Sequence, residues 1–563
     1  MTKPNKKAYE LKRRWSNLLN DRAGWEKGWR DLGKYLIPHR SNVNLTVTNG
    51  QNQTAELYDG VGVHANELLA SSMAGSLTSP ATRWFSLRMR NPLLARKKKV
   101  REWLEDAANV VYHELRQSNF HSEAHEGYKD ISGLGTMAIF VDAKDKKHNE
   151  FQGLKFQALS IGEYAIAEDA EGKVNVLFRL FKLTRAAVVE KFGLENCSEK
   201  TKKLHNVKPD EQVEILHAVY PREGGKENAK KATLKMFASV YMELAETHIV
   251  RESGYDEFPY MVARWDKTSG EQYGRGPGHT ALPNIKTLNK IQELFLKALA
   301  KVISPPMKQR HNGVIGKVRL TPDSLNTVLE MDDLQPIEFG SNFSVTYQEK
   351  ADLRQEIRHI FFWDQLQLQQ GTQMTATEVE RRWELMQRLL GPTLGRIENE
   401  FLNPLIFRVM QELNRNKRLP VMPDELLMAA QNGTGDDIDV VYEGPLARAQ
   451  RSSEMAALEK TMAIVQALKE TFPEIADNFN ADAIAEFVAD VNGLSPKLMN
   501  DPKMRDNVRQ IRQKSAAKAQ DTEIENVASG TAKNMADAVS TMSAPEVQEA
   551  AGGMMGQPQG VAA

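Results

Sequence analysis

The stretch Tyr273-GRGPGHTALPNIKTLNKIQELFLKALAKVISPP-Met307 decides the architecture. From His279 to Ile303 apolar residues recur at helical spacing, and Ser304-Pro305-Pro306 ends the pattern, because proline lacks an N–H and clashes with the preceding turn. Residues 304 to about 348 read as short strands and turns, and Lys350 to Gln370 as a second helix ended by Gly371. A long amphipathic pattern then runs from about Thr375 to Asn416, with Pro392 and Pro404 as expected kinks. Two helices therefore bracket a small domain, and a neutral, glutamine-rich joint leads into a long helix.

Working outward, helices are expected over Tyr9–Leu36, Gly60–Leu77, Ala95–Gln117 and Phe120–Ser132, with TRWFSLRMR (82–90) a strand. From Gly135 to about Met261 come β-like runs: TMAIFVDA, LKFQAL, VNVLFRLFKL, VEILHAVY, LKMFASVYMEL and FPYMVARW. After Pro420, DIDVVYEGPLARAQR reads as a β-like return, followed by Ala-, Met- and Glu-rich helices from about Ser452 to Val491. The closing AGGMMGQPQGVAA has no core-forming period and is expected to lack order outside an assembly. The fold class is α+β, predominantly helical, in several regions.

Composition narrows the function. Lys plus Arg equals Asp plus Glu at 74 each, against a protein built simply to coat nucleic acid. One cysteine, Cys197, permits no disulfide framework, and no run of about 18 apolar residues is present to span a bilayer. There is no G-x-x-x-x-G-K-[ST] phosphate loop, and the glycines of YGRGPGH (Gly274, Gly276, Gly278) are spaced as a structural turn. His121 and His125, and the pairs Glu214–His217 and Glu356–His359, fall short of a metal-ligand set, and Cys197 has no obvious histidine partner. No catalytic residue, metal or cofactor is expected.

Two features suggest contact with a polyanion or a partner. Lys286, Lys290, Lys297 and Lys301 fall within about 60° on one helix face, a basic stripe broken only by Glu293. QLQLQQGTQMT (365–375) offers hydrogen-bonding groups without charge.

The strings LYDGVGVHANELLASSMAGSLTSPATRWFSL (57–87), SNFHSEAHEGYKDISGLGTMAIFVD (118–142), the 273–307 stretch, TATEVERRWELMQRLLGPTLGRIENEFLNPLIFR (375–408) and VVYEGPLARAQR (440–451) resemble, in this order, the head–tail connector or portal proteins of podovirus-type short-tailed phages. The resemblance spans about residues 10 to 450. It implies a multi-region portal fold and a homo-oligomeric ring, usually of twelve subunits, at one capsid vertex, through which double-stranded DNA is packaged and ejected. It implies a wing (1–278, then 371–450 with the channel loop and long kinked helix), stem helices (279–303 and 349–370), a clip (304–348), a helical crown (451–520) and a low-complexity tail (521–563). Gln369, Gln370, Gly371, Thr372, Gln373 and Met374 would form the channel loop. Clip residues Lys308, Arg310, Lys317 and Arg319, then Glu330, Asp332, Asp333 and Glu338, would dock the terminase large subunit and later the tail adaptor. Contacts with the major capsid protein and with scaffolding or internal core proteins are implied too, in a virion component assembled in the host cytoplasm. The lysine stripe would face either channel or capsid. The alternatives are a DNA-processing enzyme or motor component, and a scaffold that never meets DNA.

Overall fold

The computed structural model describes residues 6–38, 54, 56–95, 97–144, 151–226, 229, 231–311, 313–320, 324–337, 343–363, 390–431, 438–442, 445–469, 471–491, 494, 496–500 and 502–541. Helix α1 (Lys6–Leu36) opens the chain and serves two cores. Its first half buries Ala8, Leu11, Trp15 and Leu18 against one sheet, and its second half buries Trp29, Leu32 and Leu36 in the main core. Between them Arg22, 4% exposed, donates to the carbonyls of Ile161, Gly162 and Tyr164 at 3.2, 3.3 and 2.6 Å. Those bonds compensate a guanidinium that would otherwise be costly to bury.

There follow α2 (Val61–Leu77), β1 (Phe85–Met89), α3 (Pro92–Ala95), α4 (Lys98–Gln117) and α5 (Phe120–Leu134). In β1, Phe85, Leu87 and Met89 face inward as alternation requires. Trp84, which precedes the strand, is buried too, stacked on Tyr442 at 6.4 Å between centroids. Then come β2 (Thr136–Ala143), β3 (Leu154–Leu159), β4 (Tyr164–Glu168), β5 (Val174–Thr184), α6 (Arg185–Phe192), α7 (Glu199–Leu204), β6 (Gln212–Pro221), β7 (Phe237–Glu243), β8 (His248–Tyr255) and β9 (Tyr260–Arg264). They make an antiparallel three-stranded sheet, β3-β2-β9, and a five-stranded antiparallel meander, β4-β5-β6-β7-β8.

Helix α8 (Pro277–Ile303) leads into two small ribbons, in which β10 (Met307–Gln309) pairs with β13 (Leu334–Pro336) and β11 (Val314–Ile315) with β12 (Thr327–Val328). Helix α9 (Phe343–Ile360) returns alongside α8. It starts ahead of the expected Lys350 and gives way to a turn at Phe362, whose φ is +58°. Residues 390–397 are helical and pass through a π turn (Glu398–Leu402) into α10 (Asn403–Arg415). The wide turn falls where Pro404 cannot donate to the carbonyl one α-turn back, so the expected irregularity there is a π turn. After α11 (Asp424–Gln431), β14 (Ile438–Tyr442) pairs antiparallel with β1, Phe85 opposite Tyr442 and Met89 opposite Ile438. The β-like return ends there: PLARAQR is the first part of α12 (Pro445–Lys469), with Pro445 in the first turn, where its missing N–H costs nothing.

The chain divides into units 1–481 and 482–563. In the second, α13 (Ala481–Val491) carries Asp482 and Glu486, which pair with Arg505 of α14 (Pro502–Thr541) at 3.6 and 3.1 Å. Helix α14 continues past residue 520 into the segment expected to be a low-complexity tail, in keeping with its alanine content. The AGGMMGQPQGVAA end lies outside the described residues.

Candidate functional site

The α8–α9 pair is anchored at its base by glycines. A Cβ on Gly274 would lie 2.5 Å from the carbonyl oxygen of Gly135, one on Gly276 2.7 Å from that of Ile131, and one on Gly278 2.2 Å from that of Gly133. YGRGPGH is thus a backbone-to-backbone seam between α5 and α8. His279 closes the turn by accepting the Gly276 N–H at 3.2 Å, and burial pushes its pKa down to about 4. Higher up, the Asn289 side-chain oxygen accepts the N–H groups of Tyr58 and Asp59 at 2.9 and 3.1 Å. Asp59 takes two bonds from Arg354 of α9, at 3.0 and 2.7 Å. Lys350 lies 3.8 Å from the Phe295 ring centroid and donates to Gln292 at 3.1 Å, with its pKa lowered by desolvation and by Arg354. The two helices are therefore held in register by specific polar and cation–π contacts.

The expected lysine stripe is about half neutralised, two carboxylates facing its four lysines. Lys286 pairs with Asp31 of α1 at 2.5 Å, and Glu293 accepts from both Lys290 (3.0 Å) and Lys297 (2.5 Å). Those two lysines, Lys297 foremost, hold the Glu293 carboxyl below its ordinary range. Glu293 thus bridges the stripe rather than merely interrupting it. Lys301 is exposed at the far end.

The sequence reading passed over the exposed apolar residues on the same helix. Phe295 points to α9, 5.3 Å from the Tyr347 ring. Leu294 (53% exposed) lies to one side of that line, Leu296 (43%) and Ile303 (75%) to the other, and Val302 (43%), two turns on, within about 20° of the line itself. At 100° per residue, Leu294 and Leu296 are separated by about 160°. The helix pair thus has two different apolar flanks, and a helical wheel drawn around Phe295 was the signal that could have found them.

In the ribbons, three of the proposed docking residues bind one another. Arg310 pairs with Glu330 at 2.6 Å and with Asp333 at 3.3 Å. Asp333, 2% exposed, accepts the Glu330 N–H at 2.7 Å and takes the Arg310 N–H on its carbonyl at 3.0 Å. A Cβ on Gly313 would lie 2.6 Å from its Cγ. Asp333 is consequently a folding residue of the ribbons, whatever part it takes in docking. Replacing it with Ala should speed amide exchange across residues 307–336 about tenfold, or about 1.4 kcal/mol. Exchange mass spectrometry checks this, and unchanged rates would remove the clasp. Lys308, Lys317, Arg319 and Asp332 are exposed. Glu338 and the loop Gln369–Met374 lie outside the described residues.

The chemically suggestive side chains do not converge. His217 is buried between the Tyr260 hydroxyl (2.5 Å) and Ser239 (2.9 Å), and burial holds its pKa well below normal. Its sequence partner Glu214 pairs with Lys182 at 3.7 Å. His125 contacts Ser71 at 3.2 Å, while burial lowers the pKa of His121. Glu356 and His359 are exposed on α9. The Cys197 thiol is buried and directed at the Gly193 carbonyl at 3.2 Å, and burial pushes its pKa up, away from thiolate chemistry. Among the described residues no group of three His, Cys, Asp or Glu could hold a metal ion, and no helix is long and apolar enough to cross a membrane.

Residues 8–499 match the family described as bacteriophage head to tail connecting protein. The "Probable portal protein" of Bordetella phage BPP-1 is 30% identical over 501 residues, covering 86% of this chain and 87% of that protein. The "Portal protein" of Salmonella phage epsilon15 is 28% identical over 566 residues, 98% of each chain. The "Portal protein" of Escherichia phage T7 is 21% identical over 450 residues, covering 76% and 79%. With a family match over most of its length and relatives aligned nearly end to end, this chain belongs to the bacteriophage head-to-tail connecting protein family, whose relatives here are phage portal proteins.

Proposed function

We propose that copies of this chain close into a ring, of about twelve, at one capsid vertex, and that double-stranded DNA enters and leaves the phage head through it. The observation that carries this reading is the pair of unlike apolar flanks on α8. A two-fold dimer would use one patch on both copies, whereas two unlike flanks, one taking the next copy and one the previous, give head-to-tail association that closes if the rotation fits. In this reading residues 279–303 and 349–370 are the stem, 304–348 the clip, 1–278 with 371–450 the wing and channel loop, 451–520 the crown and 521–563 the tail. The neutral Gln369–Met374 loop touches DNA, since hydrogen-bonding groups without charge contact phosphates without gripping them. The bridged lysine stripe suits a conduit for the same reason. Lys308, Arg310, Lys317 and Arg319, with Glu330, Asp332, Asp333 and Glu338, are the docking groups for terminase and then the tail adaptor, while the wing and crown meet the capsid and internal proteins. The chain acts by geometry, with no catalytic step and no cofactor.

Mixing two variants tests the assembly mode. Leu294→Asp and Leu296→Asp each spoil one flank, so each alone should fail to form rings. Mixed in equal amounts they have one sound interface between them and should give dimers by mass photometry. Rings from either variant alone, or higher oligomers from the mixture, would contradict head-to-tail packing through these flanks.

A further inference from the structure

Between Glu67 and Glu102 the sequence holds no acidic residue, yet it carries Arg83, Arg88, Arg90, Arg96, Lys97, Lys98, Lys99 and Arg101. In a chain whose charges cancel overall, this is a strong local imbalance. Part of it is answered within the fold: Arg83 meets Glu105 at 3.8 Å, and Arg90 meets Asp439 at 3.5 Å. The run at the start of α4 is barely answered. Lys98 lies 3.8 Å from Glu102, and no ion pair to Lys97, Lys99 or Arg101 is found among the described residues. Lys97 and Lys99 are exposed, and the Arg101 Nε is closed to solvent without a partner.

The placement runs against the helix's own electrostatics. The first turn of α4 has no acidic residue and no side-chain cap, so lysines stand where the helix dipole favours anions. A cluster kept at such a local cost is a mark of function rather than of folding. We propose that the surface formed by Lys97, Lys98, Lys99 and Arg101 binds the phosphate backbone of duplex DNA without regard to sequence, apart from any passage of DNA through a ring channel. Lysine ammonium groups on flexible stems suit repeating phosphates in any register better than one shaped protein surface. The choice of DNA as occupant rests on the proposed function, which brings the chain next to it; the surface and its charge do not.

Covalently closed circular duplex DNA separates this surface from a channel, because a closed circle cannot thread a closed ring. The full chain should bind such circles, and Lys97→Glu with Lys99→Glu should weaken binding at least tenfold. Substituting both by Ala should lower the slope of log affinity against log salt by about 2, one phosphate contact per lysine. Mass photometry of the same samples reads ring formation independently, so loss of rings and loss of circle binding are told apart. Unchanged affinity and slope in both variants would overturn the proposal. So would unchanged DNA binding alongside lost binding to polyglutamate, which would assign the patch to an acidic protein.

Discussion

Replacing Arg264 with Ala should lower the stability of the first unit by about 3 kcal/mol, among the largest single-residue losses available here. Arg264 ends β9 and is 1% exposed. Its Nε donates to Glu400 at 3.0 Å and one terminal nitrogen to the other Glu400 oxygen at 2.7 Å. The remaining donors reach Glu168 and the carbonyls of Gln272 (3.3 Å) and Gly172 (3.1 Å). One side chain therefore ties the π turn to the β4–β5 connection and to the segment leading into α8. Truncation leaves the two carboxylates short of a partner in partly buried positions, although Glu168 keeps Lys267 at 2.7 Å. Denaturant unfolding is the check. Arg264→Lys should recover only part of the loss, since one ammonium cannot serve two carboxylates and two carbonyls in fixed directions. An Ala variant as stable as the parent would show that the cluster merely compensates its own burial.

Gly278→Val should cost about 3 kcal/mol or more and loosen the base of α8. The new Cβ would meet the Gly133 oxygen at 2.2 Å and its carbonyl carbon at 2.9 Å, both backbone atoms that no rotamer change can move. Across the seam, Gly135 has φ +80°, and its own Cβ would lie 2.2 Å from the Gly274 oxygen, so neither side can yield. Gly391→Ala is the contrasting case. Nothing lies within 4 Å of a Cβ there, and the residue is helical, so that change should leave stability unchanged or raise it by up to about 1 kcal/mol. Equal midpoints for the two variants would mean that close approach at the seam is unimportant.

What could be read from the sequence was what local physics decides. The span of α8, the ribbons after its proline stop and the glycine turn before it all follow from spacing and from proline and glycine chemistry. The failures have non-local causes. Strand β1 was legible, but not its pairing with β14, because nothing near Phe85 encodes a partner at Tyr442. Strand β8 escaped notice because Arg251, Glu252 and Gly254 interrupt its apolar alternation, and it is β7 beside it that holds it. The start of α9, Phe343-Ser-Val-Thr-Tyr347, has β-branched and aromatic residues typical of a strand, and packing of Tyr347 on Phe295 overrides that preference. In the candidate site, the wheel put the four lysines on one helix face but could not show that Asp31 reaches Lys286. Nor could a charge pattern show that Arg310, Glu330 and Asp333 bind one another.

The most direct test of the central claim is mass photometry of the purified full chain under assembly-permissive salt, with negative-stain electron microscopy of the same sample. Closed rings with a central hole and a mass near twelve chains of 63.4 kDa are the predicted result. Monomers or two-fold dimers that never close, at any concentration or salt, would contradict a ring built through the two flanks of α8.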